Sequence, residues 1–154
     1  MLILGIDVGG TGIKAAIVDT QTGELVSERI RILTPKPATP EAVGATLKEM
    51  VKQHQWSGPI GIGFPAAIQR GVVRTAANID KSFIDLPIAE YFSQQTDNPV
   101  YIANDADVAG LAEMRFGAGK DSRGVVLIIT IGTGLGTALF IVGHLLPNSE
   151  LGHL

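Results

Sequence analysis

Short apolar runs, separated by glycine- or proline-rich punctuation, organise the chain. Residues 2–6 (Leu-Ile-Leu-Gly-Ile) and 15–19 (Ala-Ala-Ile-Val-Asp) predict two strands around a glycine-rich turn. Residues 24–32 alternate in part and predict a half-exposed third strand. Pro35, Pro37 and Pro40 forbid helix and central strand alike, so residues 34–40 read as an extended connection. Thr39 then reads as an N-cap, with Pro40 at the first helical position and Glu41 in the first turn. Val43, Leu47, Met50 and Val51 recur at helical spacing and predict an amphipathic helix ending before Gly58-Pro59. His54 and Trp56 at its end read as capping and packing. Short strands are predicted over 59–65 and 71–75, a helix over 88–95 opened by Pro87, and a strand over 100–103. The helix predicted over 106–116 has Leu111, Ala112 and Phe116 on an apolar face and Gly117 beyond its end.

Residues 125–147 contain no Asp, Glu, Lys or Arg and on length alone could cross a membrane. Gly132, Gly134 and Gly136 interrupt the middle, and Val, Ile and Thr dominate the flanks, so two buried strands about a glycine turn explain the run better. Strand, Gly/Thr turn and strand thus occur twice, which predicts an α/β chain of two lobes facing a shared cleft.

Composition narrows the function. A net charge of −3 gives neither a basic nucleic-acid footprint nor an acidic tail. With no cysteine, disulfides and thiolate metal sites are excluded, in agreement with a reducing cytoplasm. The start of the chain lacks the basic residues and cleavage site of a signal peptide. Cytoplasmic location, with no nucleic-acid or membrane partner, is the expectation.

The candidate chemistry lies in the turns. In Asp7-Val8-Gly9-Gly10-Thr11-Gly12-Ile13-Lys14 the glycines let a ligand approach backbone N–H groups. Thr11 adds a hydroxyl, Lys14 a cation, and Asp7 a carboxylate able to hold Mg²⁺ through water; these are parts of a phosphate cradle. The spacing matches neither the P-loop nor the dinucleotide fingerprint, and a plain hairpin turn is the alternative. A second turn, Thr130-Ile131-Gly132-Thr133-Gly134-Leu135-Gly136, lets two sets of N–H groups hold a polyphosphate from both sides. Asp105, after a strand and at a helix start, suits a base that takes a hydroxyl proton. Asp107 competes for that role, and a helix N-terminal acid favoured by the dipole is the other reading.

Four segments occur in the order seen in ROK-family sugar kinases, members of the actin-like ATPase superfold: the Asp7–Lys14 turn, Asn104-Asp105-Ala106-Asp107, the 130–136 turn, and Glu150-Leu151-Gly152-His153. Within that family the chain resembles the polyphosphate glucokinase subgroup, through Gly12-Ile13-Lys14, residues 32–40 and residues 75–81. The resemblance implies an actin-like (ribonuclease H-like) lobe of mixed sheet and flanking helices over residues 1–104, and the start of a second lobe over 105–154. It also implies transfer of a terminal phosphoryl from polyphosphate or ATP to the 6-hydroxyl of glucose. Asp105 would be the general base, and Asn78, Asn104, Glu150 and His153 would bind sugar hydroxyls. Gly9, Gly10, Thr11, Gly12, Lys14, Thr133 and Gly134 would hold donor phosphate, and Asp7 would organise Mg²⁺ through water. His144 is left structural. Lys14, Lys120 and Arg123 are the basic candidates near the motifs for a long polyanion.

Departures sharpen the resemblance. Many family members carry a cysteine-rich zinc site, absent here and consistent with the polyphosphate subgroup. The family continues for about another hundred residues beyond the Gly-His motif, and commonly forms dimers. Either an N-terminal portion, with the apolar strands of 125–147 left partly uncovered, or a sheet face covered by another chain is therefore expected. The competing readings are an ATP-dependent kinase of another hexose, a non-catalytic sugar- or phosphate-binding fragment, and a ROK-type repressor. Against the repressor, a motif starting at Asp7 leaves no room for a preceding helix-turn-helix.

Overall fold

The computed structural model describes residues 1–76, 79–132, 134–149 and 151. A five-stranded sheet with order β3-β2-β1-β4-β7 forms its larger part. β1 (Leu2–Val8), β2 (Gly12–Asp19) and β3 (Ile30–Leu33) are antiparallel neighbours, while β4 (Ile60–Phe64) and β7 (Val100–Asn104) run parallel to β1. Alternation then decides the layers. Leu4, Ile6, Val8, Ile13, Ala15, Ile60, Ile62 and Phe64 meet Val43, Leu47, Met50 and Val51 of α1 (Pro40–Gln53) and Ile88 and Phe92 of α2 (Ile88–Thr96) in one buried core. Phe64 packs on Phe83 and Phe92 at centroid distances of 5.1 and 6.4 Å, which closes that core at the end of β4. The Thr39 hydroxyl accepts from the Ala42 amide at 3.3 Å, so the predicted N-cap is present. His54 caps the other end and reaches the Ala15 carbonyl, and Trp56 Nε1 donates to the Pro59 carbonyl.

The opposite face of this sheet is met by α3 (Asp105–Phe116), which packs on β4 and β7. The same helix packs on β9 of a second, three-stranded sheet with order β10-β9-β8, made of β8 (Val125–Ile131), β9 (Leu135–Ile141) and β10 (His144–Leu146). Gly110 makes that seam possible: a Cβ there would lie 2.5 Å from the Ala138 Cβ. A small hairpin of β5 (Ile68–Gln69) and β6 (Val72–Val73) completes the strands. No helix among the described residues is long and apolar enough to cross a membrane.

Several expectations are corrected. The third strand begins at Ile30, not residue 24. Before it, Val26 donates to the Ile17 carbonyl and the Ser27 hydroxyl accepts the Ile17 amide, so single contacts replace a continuous ladder. The strand expected over 71–75 shrinks to Val72–Val73, and β5 and β10 were not foreseen. On α3 the buried residues are Ala106, Asp107 and Gly110. Leu111 and Phe116, expected to pack inward, are half exposed along an apolar groove of about 670 Å³ between α3 and the sheet.

Candidate active site

In the parallel set β1, β4 and β7, the carboxyl ends Val8, Phe64 and Asn104 fall on one edge of the sheet, where open α/β sheets place ligands. The first glycine turn lies on that edge. Asp7 faces Lys14 and Val8 faces Ile13 across the β1–β2 ladder, and the Gly9 amide donates to the Gly12 carbonyl at 3.2 Å, so residues 9–12 form a tight loop. Gly10 and Thr11 are exposed at its tip, and a Cβ on Gly10 would meet nothing within 4 Å. The Thr34 hydroxyl donates to the Gly9 carbonyl at 2.5 Å and ties the proline-rich connection to the turn. Lys14 Nζ lies 3.0 Å from Asp7 Oδ2.

Asn104 and Asp105 follow on the same edge. Asn104, only 4% exposed, accepts the Asp107 amide at 3.1 Å as the N-cap of α3 and donates to the Ala66 carbonyl at 3.2 Å. It therefore joins the loop after β4 to the start of α3. Asp105 accepts the Ala106 amide at 2.8 Å and remains exposed to solvent. Burial by surrounding protein raises its pKa above the ordinary carboxylate value; the Ala106 amide works against the rise, and the charge of Asp7 adds to it. Asp107 has a different environment. It is 2% exposed, accepts the Asn148 amide at 2.8 Å, and has one buried oxygen, Oδ1, without a partner among the described residues. Its pKa is also raised, first by burial. Of the two acids, Asp105 is the one that a substrate can reach.

The second turn joins β8 to β9, with the Gly132 amide donating to the Gly134 carbonyl at 3.0 Å and Gly134 exposed. Gly136 abuts Ala106: a Cβ there would lie 2.9 Å from the Ala106 Cβ. Asp105 thus has Asp7, before the first turn, near one side and the strand after the second turn beside its own helix. The segment after β10 is clasped at two points. The Asn148 side chain accepts the Ile68 amide at 2.8 Å and donates to the Ile68 carbonyl at 2.9 Å, and the Leu151 amide donates to the Thr137 hydroxyl at 2.7 Å. Asn148 adopts φ 55°, a conformation asparagine tolerates better than most residues. Asn78, Thr133, Glu150 and His153 lie outside the described residues, so the expectations on them rest on the sequence.

Sequence reasoning missed Arg31, whose Nη2 lies 3.4 Å from the Thr11 carbonyl. It also missed the Asp107–Asn148–Ile68 clasp. Lys120 and Arg123, the other basic candidates, precede β8, whose seven residues separate them by about 20 Å from the turn at its other end. For a divalent cation, the described residues offer no cluster of three acidic or histidine ligands. Asp7 and Asp105 are close enough to influence one another and supply hard oxygens. With Lys14 on one Asp7 oxygen, that donor set fits a hydrated Mg²⁺ held through water better than direct coordination.

Comparison with known proteins agrees with this geometry. The model of the ROK family matches residues 3–154. The polyphosphate glucokinase of Mycobacterium tuberculosis is 54% identical over 155 residues, a match that covers 97% of this chain and 57% of the relative. Among solved structures, the inorganic polyphosphate/ATP-glucomannokinase of Arthrobacter sp. strain KM superimposes with a TM-score of 0.96 at 48% identity, covering 99% of this chain and 63% of the other. The ROK-family glucokinase of Streptomyces griseus, solved with glucose and AMPPNP, gives a TM-score of 0.87 at 32% identity, covering all of this chain and 50% of the other. The chain therefore spans little more than half the length of the relatives it matches. With its sheet order, its two glycine turns and this match along nearly its whole length, the chain belongs to the ROK family.

Proposed function

We propose that the chain contributes the catalytic base and both phosphate turns to a kinase that phosphorylates the 6-hydroxyl of glucose from polyphosphate or ATP. The observation that carries this reading is the position of Asp105 on the sheet's carboxyl edge, beside Asp7 and next to the helix residue that Gly136 touches. In the proposed step the sugar oxygen forms a bond to the terminal phosphorus, and the bond to the donor's bridging oxygen breaks. The hydroxyl proton passes to the Asp105 carboxylate. Gly10 and Thr11, exposed at the tip of the turn that Gly9 and Gly12 close, bind donor phosphate from one lobe with the Lys14 ammonium; Thr133 and Gly134 bind it from the other. Mg²⁺, held through water by Asp7, would supply neutralisation of donor charge. Asn78, Asn104, Glu150 and His153 are proposed to line the sugar subsite, and Asn104 also orients Asp105 by capping its helix. The lobes divide between residues 104 and 105 in this reading. Because the Arthrobacter relative is a glucomannokinase, mannose is the second acceptor to test.

The test is a coupled assay on the native protein, at the length its source makes, with glucose or mannose against polyphosphate or ATP. Asp105→Asn keeps the shape and the amide contact but removes the base. Its kcat should fall by about 10²–10⁴ while sugar binding persists. A base must be ionised, so the raised pKa of Asp105 shifts the acid limb of kcat/KM upward from the ordinary aspartate value. An unchanged rate in the variant would remove Asp105 from the mechanism.

A further inference from the structure

We propose that Arg31, with Lys14 and Arg29, forms a subsite for the distal phosphates of a long inorganic polyphosphate. The inference deepens the donor reading above and rests on it. Lys14 on β2 is registered directly opposite Arg31 on β3, and the same row continues to Asp7 on β1. Ile13 and Ala15 point into the core, so Lys14 projects from the other face of β2, and Arg31 opposite it does the same. Like charges facing each other across an antiparallel pair destabilise it. The row holds one carboxylate for two cations, and Lys14 occupies it at 3.0 Å. Among the described residues Arg31 meets no carboxylate, and its hydrogen bond is to the Thr11 carbonyl at 3.4 Å. A bound polyanion would offset the repulsion that folding leaves in place.

The local backbone favours the same conclusion. A Cβ on Gly12 would lie 2.5 Å from Arg31 Nε and 3.1 Å from Cζ, so glycine at this position lets the guanidinium lie across the phosphate turn. The fork of Arg31 then sits beside the exposed Thr11, with a planar donor array suited to phosphate oxygens. Arg29, two residues earlier in the chain, lines the apolar groove beside α3 together with Lys14, on the same side of the sheet. Among the described residues β3 is an edge strand, and no further strand closes the row on its outer side. A chain that starts at the Asp7–Asp105 end can therefore leave past Lys14 and Arg31 into solvent, whatever its length. A nucleotide ends after three phosphates, whereas a long polyphosphate brings more charge to these cations.

The test compares wild type with Arg31→Gln in the native protein, using glucose as acceptor and either long-chain polyphosphate or tripolyphosphate as donor. The ratio of kcat/KM for the long chain to that for tripolyphosphate should fall about tenfold, the usual scale for one charge-assisted contact. A ratio changed by less than about twofold overturns the assignment. Equilibrium binding of long-chain polyphosphate, read by ultrafiltration without turnover, should weaken in the variant by a similar factor; equal binding also overturns it. Wild type that binds polyphosphate but never transfers from it would sink the donor reading, and the binding comparison alone would then decide Arg31.

Discussion

The two sheets carry similar glycine turns on different foundations. The first turn grows from β1 and β2, whose inward residues Ile6, Val8, Ile13 and Ala15 are buried against α1 and α2. The second grows from β8, where Val125, Leu127, Ile129 and Ile131 all lie on an exposed face, Ile131 at 85%. The inner side of the second sheet is secured through β9, where Ala138 and Phe140 press on Gly110 of α3. One half of the proposed phosphate grip is therefore set by a closed core. The other half depends on a shared helix, on the clasp of Asn148 to Ile68 and on whatever covers β8 in the native protein.

Paired truncations test this contrast most strongly. Phe64→Ala removes a ring buried between Phe83 and Phe92 and should cost about 3–5 kcal/mol in urea unfolding. Ile131→Ala, on the open face, should change stability by no more than about 0.5 kcal/mol. If the second change proves as damaging as the first in the native protein, the face of β8 is covered there and the contrast between the sheets disappears.

The clasp at Asn148 gives a smaller effect and connects stability to substrate. Asn148→Ala removes two hydrogen bonds to Ile68 and places alanine at φ 55°, for a loss of about 2 kcal/mol. Asn148→Gly relieves the backbone strain but not the lost bonds, so it isolates the amide. Both variants free one end of the segment that carries Glu150, and the KM for glucose should rise more than kcat falls. A KM that does not move would restrict the clasp to stability.

Legibility followed sequence distance. The β1–β2 hairpin, α1 with its Thr39 cap, and the strand–helix junction at Asn104-Asp105 could be read from local pattern because their determinants lie within one or two turns. The face of α3 was misread because apolar periodicity at Leu111 and Phe116 reports what a helix offers, not what packs on it. β10 was hidden because Val142 and Gly143 turn the chain inside one apolar run. The Asp107–Asn148 contact spans 41 residues, and the Lys14–Arg31 pairing needs a register that no spacing supplies. Candidate residues within motifs could be named from the sequence. Those that support the motifs from other elements could not.

The smallest expected effect concerns Asp107, on the helix that both sheets share. Its burial favours the neutral acid, so its pKa in the folded chain lies above that of the unfolded chain. At low pH both states are protonated and the group contributes no penalty. As pH rises through the ordinary aspartate value the unfolded chain loses its proton first. The folded state then binds more protons, so stability declines until the raised native pKa is passed. Asp107→Asn keeps an oxygen for the Asn148 amide and cannot titrate. Its stability relative to wild type should therefore improve from acid to neutral pH and then level off, as read from urea midpoints across that range. A difference that stays flat with pH would mean that the Asp107 carboxyl is solvated in solution, and that the junction between the sheets is looser than its burial implies.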